Sequence, residues 1–429
     1  MTIEIRPIER AEVRAYLQVL PYVNGLPHWE PAPAAWHGGP EAWPQPPAPA
    51  TDAQLDAFAE RVFGGGFFPQ AAFVDGRLVG GSAMLAMDIT VPGPRAVPMG
   101  GVTATAVVAT HRRRGLLRGM MQAMFDAALA RGEALAGLSA SEGGIYGRYG
   151  FGPATRRTRW EIERAEAAFA DPAPTGGDLE LVGAAAARAA WPQVHALVRR
   201  ERVGELSPQP GRWDRLSDES SGTAGPMRYL VHRTGGAVDG IAQFRLPWSS
   251  TVEHTGTLVV EALEAASPDA YRALWGLLLD FDLTRRVVAP ARPVDEPLRW
   301  MLRSPRAMRV TRQSDSLWLR ILDLAGAIGS RQYTGETGLT VEVPPDPMCP
   351  GNAGVWRLDL GPSGGSCVRT GAAPEVTIGI QALGSLFLGG HSAALLAAAG
   401  LIRERRAGAV AALGRALRHD PEPFNAFVF

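Results

Sequence analysis

The chain has 429 residues, 46% of them hydrophobic, and a formal net charge of zero. At about 150 residues per domain, this length predicts roughly three domains. The balanced charge gives no reason to expect nucleic acid or a membrane surface as a partner. Two cysteines, Cys349 and Cys367, are too few for a disulfide framework or a structural zinc site. We therefore expect two reduced thiols and no metal, with a single bridge as the alternative.

Neither a signal segment nor a membrane span is visible in the sequence. Residues 1–6 contain no apolar core of the kind that secretory signals carry. The apolar run Ala393–Leu401 is well short of the ~20 residues that a transmembrane helix needs. We expect a cytoplasmic protein.

The first third of the chain predicts alternating strands and helices. A helix is expected over Arg10–Leu20, and the Pro/Trp-rich stretch Pro27–Pro49 is expected to be a loop or an aromatic lid. Asp75-Gly76 predicts the turn of a hairpin. Hydrophobic patterning predicts strands at Ala71–Val74, Arg77–Leu85, Met87–Val91, Gly101–Val108 and Leu135–Ala140, and a helix at Gly115–Leu129.

After a linker near Pro172 the same order partly repeats, and a third unit begins near Thr311. In the second unit we predict a hairpin over Arg228–His232 and Gly240–Leu246, a strand over Thr255–Glu264 and a helix over Asp269–Phe281. In the third we predict strands at Ser316–Ile321, Val355–Leu360 and Glu375–Ile380, and helices at Gln381–Phe387, Ser392–Ala399 and Arg405–Leu417. The class is α+β.

The strongest local motif is the run from Val107 to Leu117, Val-Val-Ala-Thr-His-Arg-Arg-Arg-Gly-Leu-Leu, between a predicted strand and a predicted helix. A glycine turn at a helix start exposes backbone N–H groups at the positive end of the helix dipole, which suits a diphosphate. Three consecutive arginines add donors with bidentate reach to phosphate oxygens. The alternative is a solvated basic helix cap.

A second motif runs from Ser139 to Thr155, Ser-Ala-Ser-Glu-Gly-Gly-Ile-Tyr-Gly-Arg-Tyr-Gly-Phe-Gly-Pro-Ala-Thr. Its glycines indicate turns and close backbone approaches. A phenol has a pKa near ~10 and a thiol near ~8.5, so a tyrosine can protonate a departing thiolate. Tyr146 and Tyr149 are both candidates for this general acid, with core packing as the alternative role.

The first motif resembles the acetyl-CoA loop of GNAT acetyltransferases, in which Arg112 and Gly115 match the pattern and Leu117 replaces a small residue. This resemblance implies that Val107 offers backbone groups to the pantetheine arm and to the acetyl carbonyl. The residues that it implies for binding the co-substrate are Val107, Val108, Arg112, Arg113, Arg114, Gly115, Leu116 and Leu117.

Together the two motifs closely resemble the Eis (enhanced intracellular survival) family of acetyltransferases. The resemblance rests on Thr110-His-Arg-Arg-Arg-Gly-Leu-Leu117 and Ala140-Ser-Glu-Gly-Gly-Ile-Tyr-Gly-Arg148. It implies that Tyr146 is the general acid, that Ser141 lies beside the acetyl-CoA, and that the terminal carboxylate of Phe429 is the base. The apolar tail Pro423–Phe429 fits a docked chain end.

The resemblance covers the whole chain and implies its architecture. It predicts a catalytic GNAT domain over 1–156, a GNAT-like domain without a CoA site over 157–310, and a sterol-carrier-protein-like domain over 311–429. The last domain would present the terminus and build a homo-oligomer, a hexamer by resemblance. Within it, Pro374–Gly390 carries the likeness.

The acceptor amine is less constrained than the chemistry. Val428 stands where broad aminoglycoside acetylators of the family have an acid, and Asn24 is the nearest polar residue to a second such position. With Trp29 and Trp36, these residues predict a less acidic pocket, framed also by Phe68, for an aminoglycoside or an amino-sugar or natural-product amine of low charge. The alternatives are peptide or protein amines, a longer acyl donor, a non-catalytic acyl-CoA-binding module, and His37 or His111 as base.

Overall fold

The computed structural model describes residues 1–23, 51–171, 176–209, 211–217, 225–246 and 256–429. Its strands are β1 (Ile3–Pro7), β2 (Phe67–Val74), β3 (Arg77–Val91), β4 (Arg95–Val107), β5 (Leu135–Ser139), β6 (Gly152–Pro153), β7 (Arg156–Glu163), β8 (Asp178–Val182), β9 (Met227–Thr234), β10 (Ala237–Arg245), β11 (Gly256–Ala265), β12 (Thr284–Arg292), β13 (Arg309–Asp315), β14 (Leu317–Ile321), β15 (Thr337–Val343), β16 (Gly354–Gly361), β17 (Gly364–Arg369), β18 (Val376–Ile378) and β19 (Ile402–Glu404). Its helices are α1 (Val13–Val23), α2 (Asp52–Phe63), α3 (Leu116–Ala130), α4 (Gly143–Tyr146), α5 (Ala184–Arg199), α6 (Pro268–Leu279), α7 (Leu298–Met301), α8 (Leu324–Gly329), α9 (Ile380–Leu386), α10 (Ala393–Ala398) and α11 (Ala409–Leu417).

The first sheet has the strand order β1-β2-β3-β4-β5-β14-β6. The predicted hairpin is confirmed, because Asp75 and Gly76 both have positive φ, as a tight two-residue turn requires. The separate strand predicted at Met87–Val91 is wrong. Ala86 pairs with Gly100 in an uninterrupted ladder to β4, so that β3 runs as one long strand.

Helix α3 covers one face of this sheet and α1 covers the other. The side chains that α3 buries are the predicted ones, Leu116, Met120, Met121, Met124, Phe125 and Ala128. On the opposite face Tyr16 packs against Gly81, and its hydroxyl donates to the Ser82 carbonyl at 2.9 Å. The sheet is therefore buried on both sides, as expected for a sheet with a parallel pair at its centre.

The second sheet, β13-β7-β12-β11-β10-β9-β8, repeats the order of the first, with a parallel pair formed by β11 and β12 and with α6 following β11. The sequence analysis missed α5. Its run of alanines and its internal Pro192 give a weak helical signal, although Trp191, Val194 and Val198 form a buried face.

Strands β13 and β14 connect the three units. The sequence analysis assigned both segments to the third unit, but β13 pairs with β7 in the second sheet and β14 pairs with β5 and β6 in the first. Backbone hydrogen bonding thus places the chain up to Ile321 with the first two sheets. The predicted boundaries at 156/157 and 310/311 stay predictions.

The third sheet has the order β17-β16-β15-β18-β19. The helix predicted from Arg405 is wrong in its first turn. Glu375 accepts the Arg405 backbone N–H at 2.8 Å, and Gly408, with a φ of 83°, forms the N-terminal cap of α11. Both Cys349 and Cys367 are buried free thiols.

The third unit shares a continuous apolar core with the first sheet, since Met99 and Leu317 belong to the same cluster as Leu339 and Leu383. Helix α9 lies so close to β6 and β14 that Gly152 and Gly384 have no room for a side chain. Within the described ranges, no helix is long and apolar enough to cross a membrane, and no group of three or more His, Cys, Asp or Glu side chains could hold a metal ion.

We expect Gly152→Ala to destabilise the protein through this contact. An added Cβ would lie 2.1 Å from the Gln381 carbonyl oxygen and 2.4 Å from Ser385 Oγ, so that α9 must move. Overpacking of this kind costs about 1–3 kcal/mol, which a thermal melt detects as a lower midpoint. Gly335→Ala is the control, because nothing lies within 4 Å of its added Cβ. Equal midpoints for the two variants would contradict the expected tight contact.

Candidate active site

A cleft opens where the two parallel strands of the first sheet separate. Strand β4 pairs with β5 only from Met99 to Gly101 and then continues to Val107 with β3 as its one strand neighbour among the strands that the structure describes. Ala104 has a φ of 51°, and the register between β3 and β4 shifts at this point, so β4 carries a bulge just after it leaves β5. The exposed edges of two diverging strands can hydrogen-bond an extended ligand such as a pantetheine arm.

The predicted arginine loop lies at the end of this strand and leads into α3. Arg112, Arg113 and Arg114 are exposed, and among the described residues none of them forms an ion pair with a carboxylate. Gly115, with a φ of 79°, begins the helix without a side-chain cap. The helix start therefore combines free N–H donors, a positive dipole end and three unpaired cations, which suits a diphosphate.

Other groups of the loop are already engaged within the chain. The Val107 carbonyl accepts from Arg112 Nε at 3.3 Å, and both backbone groups of Val108 have partners, Val79 and His111. Leu116 is buried and Leu117 half-buried against the sheet. His111 is half-buried, and its Nδ1 lies 2.9 Å from Thr110 Oγ1.

The equivalent helix of the second sheet offers no comparable site. Only Ala266 and Ser267 separate β11 from α6, and Ser267 caps the helix by accepting the Ala270 N–H at 3.1 Å. Asp239 also accepts from Ser267 Oγ, and Asp269 adds a negative charge to the first turn. A capped, acidic helix start repels phosphate, because its donors are satisfied and its dipole is neutralised.

Tyr146 ends the short helix α4, which follows β5. Its side chain is buried among α3 residues and packs edge-on against Phe151 with 6.3 Å between ring centroids. Burial raises the pKa of the Tyr146 phenol, and the hydroxyls of Thr105 and Ser141 partly offset this rise by favouring the ionised form. The phenol is therefore protonated at neutral pH and lies beside the bulged part of β4.

Three further residues line the same region. Tyr149 is as buried as Tyr146, and burial raises its pKa too, without a hydroxyl neighbour that offsets the rise. Ser141 is exposed at the start of the Gly-rich turn. Ser139 ends β5, and its Oγ is buried without a hydrogen-bond partner in the part of the chain that the structure describes.

The last residue of the sequence lies at the point where the strands diverge. A Cβ added to Gly101 would lie 2.8 Å from Cε2 of the Phe429 ring and 2.6 Å from Met87 Sδ. Gly101 thus faces the terminal ring, while Val102, the next residue on β4, belongs to the cluster that contains Tyr146. Because successive side chains of a strand point to opposite faces, the Phe429 ring and the Tyr146 cluster approach the same short stretch of β4 from its two sides.

Buried hydrogen bonds hold the tail in this position. The Phe424 N–H donates to the Val203 carbonyl at 2.9 Å, and Thr155 donates to the Asn425 side chain at 2.6 Å. The Ala426 N–H donates to the Glu205 carboxylate at 3.0 Å. Glu205 is fully buried, and burial raises its pKa. Buried polar contacts of this kind are costly to break, so they fix the course of the tail.

The residues predicted to frame the acceptor pocket are only partly described. Asn24, Trp29, Trp36 and His37 lie outside the described residues. Val428, the penultimate residue of the tail, is 42% exposed. Phe68 is half-buried in the Tyr146 cluster, with the Arg131 guanidinium 4.1 Å from its ring centre.

The sequence analysis missed Thr105 and Glu205. Thr105 lies in a predicted strand, and a bulge at Ala104, which has a positive φ, turns it toward Tyr146. An alanine in the sequence does not indicate such a bulge. Glu205 lies in a loop, more than two hundred residues before the tail that it binds. A carboxylate in a loop is normally solvated, so nothing in the sequence marks it as buried.

Three domain families match successive parts of the chain. A GNAT acetyltransferase domain matches residues 48–154, a second GNAT acetyltransferase domain matches 204–321, and a sterol carrier protein domain matches 324–426. The predicted fold class, two tandem GNAT domains followed by a sterol-carrier-protein-like domain, is confirmed.

Whole-chain relatives agree with this order. An uncharacterized N-acetyltransferase of Streptomyces coelicolor is 39% identical over 81% of this chain and 84% of its own length. The N-acetyltransferase Eis of Mycobacterium tuberculosis is 34% identical over 82% of this chain and 86% of its own. The crystal structure of Eis1 from Mycobacterium abscessus superposes with a TM-score of 0.82 at 30% identity, covering 100% of both chains. The chain belongs to the Eis family of GNAT N-acetyltransferases.

Proposed function

We propose that the protein transfers an acetyl group from acetyl-CoA to a small-molecule amine, with Tyr146 as general acid and the Phe429 carboxylate as base. The observation that carries this proposal is the contact of the Phe429 ring with Gly101, at the point where β4 leaves β5. GNAT folds bind the acyl donor between such strands, so a docked chain end there lies beside the thioester.

Donor binding is supported by the start of α3. Its uncapped N–H groups and the unpaired Arg112, Arg113 and Arg114 fit the diphosphate of acetyl-CoA. The diverging edges of β4 and β5 fit the pantetheine arm. The second GNAT domain, whose helix start is capped by Ser267, would not bind a donor.

The proposed reaction is a direct transfer. The neutral amine attacks the thioester carbonyl carbon, the C–S bond breaks, and the thiolate takes the Tyr146 proton. The nitrogen of the new C–N bond is then positively charged, and its extra proton passes to the Phe429 carboxylate, directly or through a water. A buried phenol with a raised pKa suits this acid, because it keeps its proton until the thiolate forms.

An α-carboxylate has an ordinary pKa of about 3.5 and is a weak base in water. Holding this carboxylate close to the amine would offset its weakness, because it removes the entropic cost of bringing two groups together. The packing of the half-buried Phe429 ring against the apolar core would hold the chain end in that place. The hexameric assembly expected from the family would leave this chemistry unchanged.

We expect Tyr146→Phe to lower kcat about 100-fold, because general acid catalysis is lost while the ring remains. The measurement is CoA release with a thiol reagent across a panel of amines, and calorimetry measures acetyl-CoA binding. Affinity for acetyl-CoA should change by less than twofold. Tyr149→Phe is the matched control, since it removes a hydroxyl of equal burial from the same cluster. A larger loss in Tyr149→Phe would move the acid role to that residue.

Two changes at the chain end test the base. Deleting Phe429 removes its ring and moves the terminal carboxylate back to Val428, whereas adding one glycine after Phe429 keeps the ring and moves the carboxylate forward. We expect both variants to lose at least about 100-fold in kcat and to retain acetyl-CoA binding. Full activity of the glycine-extended protein would rule out the carboxylate as base. Donor binding without turnover of any amine in the unaltered protein would instead favour a non-catalytic module.

Glu205 should act through the tail that it binds. Glu205→Gln keeps the shape but replaces one of the two oxygens that accept the Ala426 N–H by an amide nitrogen, so we expect kcat to fall roughly tenfold. In the Phe429-deleted background the same change should have no further effect, because the terminal carboxylate has then already left its position. Independent losses that multiply in the double variant would show that Glu205 acts on activity by another route.

A further inference from the structure

A cavity of about 290 Å³ lies between the second domain and the tail. Val428, Phe427 and Ala426 form one wall, and Trp191, Arg212, Trp213 and Glu264 are among the residues that form the others. Val428 is bonded to the residue that we propose as base. The wall of this cavity is therefore covalently continuous with the proposed base. The volume is at the small end of the roughly 300–1,000 Å³ usual for ligand sites.

Arg212 lines the cavity without a counterion. Its guanidinium carbon lies 3.7 Å from the centre of the Phe427 ring, and in the described part of the chain it has no carboxylate within ion-pair distance. Its Nε is buried with no hydrogen-bond partner among those residues. Burial lowers the pKa of Arg212 to about 10, so it is still a cation at neutral pH. A partly buried cation with an unused donor is stabilised when an anion pairs with it.

The carboxylate that lines the cavity, Glu264, is not an ion-pair partner of Arg212. Glu264 is the one carboxylate among the described lining residues, and it accepts from His195 Nδ1 at 3.1 Å. Interaction with Glu264 raises the pKa of His195 despite its burial, so the two form a buried pair. Arg215, exposed at the rim, adds a second cation. The cavity therefore carries an excess of positive charge.

Flat apolar walls complete the cavity. Trp191 and Trp213 stack with 5.6 Å between ring centroids and 17° between planes, and the Phe427 ring packs edge-on against Trp213 with 6.5 Å between centroids. Indole and phenyl faces favour a planar or apolar scaffold. An arginine fork held beside them binds a carboxylate in a bidentate manner. These two features together select a small organic acid over a polycation.

We infer that the acceptor amine also bears a carboxylate on a compact scaffold, and that Arg212 binds this carboxylate in the cavity beside Val428. This inference rests on the proposed acetyl transfer, and it specifies the acceptor class as amino acids in the broad chemical sense. The positive charges of Arg212 and Arg215 would repel polycationic aminoglycosides.

The test uses matched pairs of acceptors, namely aminomethylbenzoates, γ-amino acids and dipeptides, each beside its own carboxamide. We expect the full-length protein to acetylate at least one acid with a kcat/KM about tenfold or more above its amide, since a charged hydrogen bond is worth that ratio. Arg212→Met should bring the acid-to-amide ratio close to one, and Arg212→Lys should restore part of it. Arg415→Met, a change at an exposed arginine of α11, should keep the ratio.

Calorimetric binding of the acids without acetyl-CoA separates the two proposals. If amines are acetylated but no acid is preferred over its amide, or if Arg212→Met keeps the preference, this inference is overturned and acetyl transfer stands. If no amine is acetylated while the acids still bind in an Arg212-dependent manner, the proposed function fails and the ligand class stands. The acid-to-amide ratio of kcat/KM in the unaltered protein tests the acceptor class even if the Arg212 variants fold poorly.

Discussion

The separation of β4 from β5 after Gly101 is the feature on which the site depends. It frees two strand edges, leads the chain into the arginine loop, and leaves a glycine surface against which the Phe429 ring packs. A side chain at Gly101 would displace either that ring or Met87. The course of the backbone therefore determines where Tyr146 and the tail lie, and the chemistry proposed for them depends on those positions.

The two GNAT domains share a fold but differ at the start of the helix that follows the parallel strand pair. Both have a parallel strand pair followed by a helix. In the first, an eight-residue loop rich in arginine leaves the helix start open; in the second, Ser267 closes it and Asp239 and Asp269 reverse the local charge. The second domain instead contributes Glu205 and the cavity wall, so that it supports the tail of the chain.

The first GNAT domain could be predicted from its motifs, because a glycine turn with three arginines and a Gly/Tyr-rich turn are local features of sequence. The hairpin at Asp75-Gly76 and the buried face of α3 follow from equally local rules. What the sequence could not predict is nonlocal. The pairing of β14 into the first sheet, the burial of Glu205 and the unpaired charge of Arg212 depend on segments far apart in the chain.

The position of β14 has a consequence for how the protein forms. Leu317–Ile321 lie between β5 and β6 in the sheet, so the first domain has an incomplete sheet until those residues are available. During synthesis, the ribosome must release the entire second domain before the first sheet can close. Until then the open edge of β5 could pair with strands of other chains. An isolated fragment ending at residue 156 would keep that edge permanently, so it is a poor choice for expressing the first GNAT domain alone.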